Sequence, residues 1–251
     1  MSVRKVLVIR FRRIGDAVLS VVICSSLRKS FPEAEIHYVL NDHIAPLFEN
    51  HPDIDKIITF SDEENNHFFE YLRKVRQLMK TERYDVIIDT RATIKTLWFS
   101  AFSLRTKYRI GTSKFYNHFF HNYRVRNHVN DDLDEVVRNL LLLQPLEREG
   151  KLVMTTDFRL YVTEQETAEF RKYMEQKGIS FSRFIVVCTP FTRVARKAWD
   201  MAKMKEMLSR IIQRYDAQLI FNYSWEEKAA ALALYEDMGK DEHIFIDIEA
   251  D

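Results

Sequence analysis

Three segments of the 251-residue sequence gather side chains able to do chemistry. The first is Arg10-Phe11-Arg12-Arg13-Ile14-Gly15-Asp16, directly after an apolar run at 6–9. Gly15 permits a tight turn and a close approach of backbone to a bound group. Asp16 fits two roles. It is a helix N-cap whose carboxylate accepts backbone N–H bonds, or a general base at the ligand edge of a sheet. The roles compete, because a carboxylate bonded to backbone donors is a weaker base. Arg10, Arg12 and Arg13 suit either an anion site or a solvated basic loop. The turn lacks G-x-G-x-x-G, which disfavours a dinucleotide dehydrogenase.

The second segment follows an apolar run at 184–188 and reads Thr189-Pro190-Phe191-Thr192-Arg193-Val194-Ala195-Arg196-Lys197-Ala198-Trp199-Asp200. A buried strand that ends in a basic loop before a helix suits a diphosphate, with Lys197 and the helix N-terminus as donors. The plainer reading of Lys197 is a solvated loop lysine, and of Trp199 packing rather than base stacking. The third segment is Tyr223-Ser224-Trp225-Glu226-Glu227-Lys228. Glu227 there is either a nucleoside contact or a carboxylate favoured by a helix start. Residues 104–126 also interleave arginine and lysine with tyrosine and phenylalanine. They suit an anionic glycolipid head group, a membrane interface, a nucleic acid, or a partly buried loop with a basic rim.

These segments need a scaffold. Short apolar runs at 6–9, 35–40, 56–60, 84–89 and 108–111 alternate with amphipathic stretches at 16–31, 44–50, 68–80 and 93–103. The spacing predicts strands and helices in turn, with a further helix over 132–143, and no clear period over 112–130. Residues 144–157 interrupt the rhythm, and the alternation restarts with strands at 158–162, 184–189, 217–223 and 243–248. The pattern implies parallel sheets with right-handed crossovers. We expect two Rossmann-like domains, 1–150 and 151–251. The second has few strands against the usual ~5–6 of an open sheet, so it reads as incomplete.

Composition narrows the class. The formal net charge is +1, with 46% hydrophobic and 30% charged residues. That is an ordinary globular balance, and it argues against a dedicated nucleic-acid binder. The two cysteines, Cys24 and Cys188, lie far apart in or beside apolar runs and read as buried thiols of a reducing compartment. No Cys or His pair has ligand spacing, so no metal is expected. The N-terminus has no signal-peptide pattern, and no apolar run reaches the roughly 20 residues of a membrane span. A cytoplasmic location is expected, with contact at a membrane surface left open.

The residues from 6 to 57 resemble the N-terminus of the ADP-heptose:lipopolysaccharide heptosyltransferase family, glycosyltransferase family 9. The matching motifs are Ile14-Gly15-Asp16, Phe31-Pro32-Glu33-Ala34-Glu35-Ile36 and His51-Pro52-Asp53-Ile54-Asp55, with Tyr84-Asp85-Val86-Ile87-Ile88-Asp89 further on. Thr189-Pro190 and Lys197-Ala198-Trp199 resemble a later family segment, with Phe191 at a usual glycine and Asp200 at a usual proline. The resemblance implies a GT-B fold and inverting transfer of heptose or a related sugar from an ADP-sugar to a lipopolysaccharide core acceptor, at the inner face of a membrane. It implies Asp16 as the base and Arg10, Arg12, Arg13 and Gly15 as the acceptor site. Thr189, Lys197 and Glu227 would hold the donor, with Asp16 and Lys197 facing each other across a cleft and no cofactor beyond the donor substrate. The family's Asp-Ser/Thr-Gly-x-x-His segment does not occur before Asp251. Its absence, with the lost glycines, leaves two alternatives: a non-catalytic binding module, or a nucleotide-sugar transferase acting on another surface glycan.

Overall fold

The computed structural model describes residues 3–11, 13–126, 133–192 and 194–248. Contacts divide the chain into Met1–Val162 and Thr163–Asp251. The first unit carries β1 (Lys5–Ile9), α1 (Ile14–Ser30), β2 (Glu35–Asn41), β3 (Lys56–Phe60), α2 (Asp62–Asn66), α3 (Phe68–Glu82), β4 (Val86–Asp89), α4 (Leu97–Ala101), β5 (Tyr108–Thr112), β6 (Tyr123–Val125) and α5 (Glu135–Leu141). The second carries α6 (Glu164–Gln176), β7 (Ile185–Cys188), α7 (Met201–Tyr215), β8 (Gln218–Phe221), α8 (Lys228–Asp237) and β9 (Ile244–Phe245). The helix expected over 44–50 is a 3-10 helix at Asp42–Phe48 that contains Pro46. Proline lacks the N–H an α-helical ladder needs there.

The first sheet has the order β3-β2-β1-β4-β5-β6 and is parallel throughout. Val6, Leu7, Val8 and Ile9 are almost wholly buried, because helices cover both faces of β1. On one face α1 and α5 contribute Val21, Val22, Leu27 and Leu140. On the other, α3 and α4 contribute Tyr71, Val75 and Phe99. From β1 the chain winds outward through β2 to β3, returns to the other side of β1 as β4, and winds outward again. The direction reverses between β1 and β4, and a crevice opens beyond the carboxyl ends of strands at such a point.

The second unit holds a three-stranded parallel sheet, β7-β8-β9. Leu208 and Ile212 of α7 pack on one face, and Met174 of α6 packs on Ile220 from the other. Residues 158–162, expected as its first strand, form none. They belong with the first unit, so the division falls later than the expected 150/151. The stretch just before them is tied down by side chains instead of a neighbouring strand. Val153 N donates to Ser30 Oγ at 2.9 Å and Thr155 N to Ser26 Oγ at 3.0 Å. The aperiodic region after β5 also holds order that the pattern does not show, namely β6 and a 3-10 turn at Phe115–Asn117.

Gly111 of β5 has a specific packing duty. A Cβ there would lie 2.4 Å from His121 Cε1 and Nδ1, and His121 is buried against Asn117. Gly111→Ala is expected to lower stability by about 1–3 kcal/mol, the usual cost of overpacking. Adding His121→Ala should recover much of it, and equal melting points for wild type and Gly111→Ala would refute the packing. Burial also pushes the His121 pKa below its ordinary value, against an opposing pull from Asp89. A histidine whose folded pKa is depressed contributes stability that is complete above its unfolded pKa of about 6.5 and is lost as pH falls through the folded value. Thermal melts from neutral to pH ~5 should therefore show a falling Tm that is shallower in His121→Asn. A slope unchanged in that variant would contradict the assignment.

Candidate active site

At the end of β1 the loop is pinned by Phe11. Its ring is edge-on to Phe60 at 5.4 Å and lies 6.4 Å from Tyr71 and 6.3 Å from Phe99. With Phe11 facing the core on one side of the sheet, Arg10 turns inward on the other. The Arg10 side chain is only 3% exposed. Its Nη2 lies 2.9 Å from Asp16 Oδ2 and 3.4 Å from Glu135 Oε1, and Nη1 donates to Thr90 Oγ1 at 3.3 Å. The Thr90 hydroxyl donates onward to Ile9 O at 2.9 Å. Arg10 was expected to hold the acceptor. It is instead the buried cation that positions Asp16.

Asp16 is the third residue of α1. The cap position belongs to Arg13, which makes no side-chain cap bond and sits at φ 59° and ψ 110°. That left-handed backbone is costly for arginine, by about 1–3 kcal/mol. It starts the helix early enough to bring Asp16 back over Arg10. Asp16 Oδ2 is shared between Arg10 and Arg91 Nη1, the latter at 3.7 Å. Among the described residues Oδ1 accepts no bond. A Cβ on Gly15 would meet nothing within 4 Å, so space is open beside the helix N-terminus. Arg13 is exposed. Arg12 lies outside the described residues.

Arg91 and Glu135 carry no motif that marks them in the sequence. Arg91 follows β4 as Arg10 follows β1, so a cation just past each of two adjacent buried strands is the signal available. Its turn is held by the buried Asp89, whose Oδ1 accepts from Arg91 N at 3.1 Å and Ala92 N at 2.7 Å. Ala92 is fully buried and takes φ 47°. Asp89 Oδ2 lies 3.7 Å from His121 Nε2. Glu135 opens α5, which Asp134 caps by accepting from Val137 N at 2.8 Å. Asn139 Nδ2 ties that helix to Leu19 O on α1 at 3.2 Å.

In the second unit Thr189 is exposed directly after β7, and Asn222 N donates to Cys188 O at 2.8 Å, which aligns the ends of β7 and β8. Lys197 closes a 3-10 turn through its N–H to Val194 O at 2.8 Å. Its side chain is exposed, without an ion-pair partner among the described residues. The departures from the family pattern have local reasons. Phe191 packs into the core beneath α7, and Asp200 caps α7 by accepting from Lys203 N at 3.0 Å. Trp199, read as packing, is 49% exposed. Glu227 Oε2 accepts from Ser224 N at 2.9 Å, the bond of a helix start. A cavity of about 530 Å³ opens nearby, lined by Phe170, Asn222, Tyr223, Trp225 and Lys228 among others.

Residues 104–126 are partly structural. Arg109 is buried, with its guanidinium donating to the carbonyls of Leu104, Thr106 and Phe120, and Lys107 pairs with Glu149. Cys24 and Cys188 are both buried free thiols. Among the described residues one trio, Glu35, His37 and Glu82, brings metal-type ligand atoms within 4.8 Å of one another. The Lys5 ammonium already pairs with both carboxylates there, at the opposite end of the strands from Asp16. No helix of the described residues is long and apolar enough to cross a membrane.

Comparison with known proteins agrees with this architecture. The family model of glycosyltransferase family 9 (heptosyltransferase) matches residues 72–240. Lipopolysaccharide heptosyltransferase 3 of Escherichia coli K12 is 26% identical over 208 residues, covering 80% of this chain and 58% of the relative. The chain thus spans under two thirds of that relative's length. The solved family 9 glycosyltransferase of Veillonella parvula superposes with a TM-score of 0.81 at 16% identity, covering 97% of this chain and 69% of that one. The E. coli ADP-heptose lps heptosyltransferase II gives 0.71 at 18% identity, covering 93% and 68%. These likenesses carry the GT-B fold, and the matched family model spans more than half of the chain: it belongs to glycosyltransferase family 9, the heptosyltransferase family.

Proposed function

We propose that the chain forms the acceptor unit and part of the donor unit of an inverting glycosyltransferase. It moves heptose or a related sugar from an ADP-sugar to a lipopolysaccharide core acceptor at the inner face of a membrane. The observation that carries this reading is Asp16. It stands at the reversal point of the sheet, one oxygen held by Arg10 and Arg91 and the other without a bond from the described residues. Names of similar proteins support the sugar and the acceptor class.

In the proposed step, Asp16 Oδ1 takes the proton of an acceptor hydroxyl. The deprotonated acceptor oxygen attacks the anomeric carbon from the face opposite the diphosphate. The bond from this carbon to the phosphate oxygen breaks, and ADP leaves with the electron pair. Arg10 and Arg91 keep the carboxylate aimed without contacting the sugar. Arg13 and the open space over Gly15 receive the anionic acceptor, and Arg12 belongs to the same loop. Lys197 and the Thr189 hydroxyl stabilise charge on the departing diphosphate, and Glu227 meets the nucleoside beside the Trp225 cavity. No cofactor is required, since lysine and backbone donors supply the positive field.

The test is ADP release from ADP-heptose with purified core acceptor. Asp16→Asn is expected to lower kcat by about 10²–10⁴-fold while ADP binding, followed by calorimetry, stays unchanged. ADP binding without release, the same in wild type and Asp16→Asn, would replace this reading with a non-catalytic binding module. Arg10→Lys should lower both stability, by about 1–3 kcal/mol, and kcat, because a lysine cannot serve Asp16, Glu135 and Thr90 together. Gly15→Ala should leave the melting temperature unchanged or slightly higher yet raise the acceptor KM. A KM equal to wild type would remove Gly15 from the acceptor site.

A further inference from the structure

The outward flank of α3 is basic in a regular pattern. Phe69, Arg73, Arg76, Lys80 and Arg83 recur at alternating intervals of four and three, which sets the first four in one stripe along the helix, with Arg83 the left-handed cap residue just past its end. The opposite face, Tyr71, Val75 and Met79, is buried in the core. All four cations are exposed, and none has an ion pair or hydrogen bond with a described residue. The neighbouring acids are engaged elsewhere: Glu64 pairs with Lys74, and Glu82 with Lys5 and Lys56. The exposed Glu70 is turned about 100° from Phe69, and the exposed Glu63 belongs to α2. Lys80 and Arg83 could be explained as complements to a helix C-terminus, but Arg73 and Arg76 lie too far back for that.

Beside this stripe runs an apolar edge. Phe69 is 83% exposed, Leu104 60% and Phe68 53%. Phe68 contacts Trp98 at 6.2 Å between centroids, and Trp98 contacts Phe102 at 5.6 Å. The two rows meet at a cavity of about 890 Å³, lined by Lys80 and Arg83 on one side and Phe102, Leu104 and the exposed, unpaired Arg105 on the other. In a chain of net charge +1, these five cations outnumber the acids of the same cavity, Asp85, which accepts from Arg4 N and Lys5 N, and Glu149, which pairs with Lys107, and so make a local field rather than a bulk property. Interleaved with exposed aromatic and aliphatic side chains, they match an anionic lipid surface. The cations meet headgroup phosphates, and the aromatics sit at the level of the acyl boundary. A folded nucleic acid would use the cations but leave Phe69 and Leu104 without a partner.

We propose that the α3 stripe, with the Trp98–Leu104 edge and Arg105, is a docking surface for an anionic phospholipid bilayer. It differs from the segment 104–126 taken as a whole, where Arg109 and Lys107 are already engaged. The proposal does not depend on the transferase reading, because it requires neither donor nor acceptor.

Co-sedimentation of the full chain with phosphatidylcholine vesicles, with and without about one third phosphatidylglycerol, tests it. Binding is expected to the anionic vesicles and to fall in about 0.5 M salt. Each cation is worth about a 5-fold change in partitioning. The variant Arg73→Gln/Arg76→Gln/Lys80→Gln/Arg83→Gln should therefore lose at least about 100-fold while keeping its melting curve. Lys114→Gln/Arg124→Gln/Arg126→Gln, a control on another surface, should bind as wild type. The exposed pair Phe69→Ser/Leu104→Ser removes no charge and leaves the core untouched, so it reads the surface even if the fourfold variant fails to fold. It is expected to weaken vesicle binding several-fold. The proposal is overturned by no binding to anionic vesicles, by binding that survives the fourfold variant or the Phe69/Leu104 variant, or by equal affinity for a single-stranded RNA.

Discussion

A buried guanidinium is an expensive group to keep without partners, and Arg10 organises the first unit around that fact. It sits nearly out of reach of solvent at the end of β1, so carboxylate and hydroxyl oxygens must come to it. Three elements supply them: Asp16 from the adjoining α1, and, from far along the chain, Thr90 at the end of β4 and Glu135 of α5. The same requirement that closes the fold there aims one aspartate at the crevice. Removing a partner would leave an uncompensated buried charge, which costs more than the pair gains. Asp16 is thereby held in place by the stability of the domain itself.

The turn after β4 answers the turn after β1. Asp89 accepts two backbone N–H groups and keeps Ala92 in a left-handed conformation, so Arg91 is delivered over Asp16 from a backbone that alanine does not adopt unaided. Arg13 is held left-handed across the crevice mouth. Strain of this kind persists only where surrounding packing over-determines it. Here Phe11 in its aromatic pocket anchors one turn, and Asp89 with His121 beneath anchors the other. Gly111 makes room for the His121 ring, so the backbone of β5 also bears on where Arg91 stands.

The second unit shows how family positions can change chemistry without disturbing the scaffold. Phe191 becomes core, Asp200 takes over the start of α7 as a cap, and Glu227 braces the turn before α8. Lys197 and Thr189 remain exposed at the carboxyl end of β7, where a parallel sheet presents its ligand loops. Capping and burial are sufficient reasons for those three residues to be what they are.

Local pattern settled much of this protein. Runs such as 6–9 and 84–89 could only be strands covered on both faces, and their alternation with amphipathic stretches dictated parallel sheets. The interruption at 144–157 pointed to two units, whereas the contacts divide the chain later, after Val162. The Gly-Asp turn was legible because helix starts and strand ends carry residue types of their own. Tertiary structure decided what no spacing encodes. It set the burial of Arg10, the recruitment of Arg91 and Glu135, the cap at Arg13 instead of Asp16, and the failure of residues 158–162 to become a strand when Ser26 and Ser30 took up the backbone just before them. Apart from the cap, each is a choice among partners far apart in the chain. Periodicity reports which face a residue occupies, whereas an ion pair depends on which charges the folded chain brings within a few ångströms.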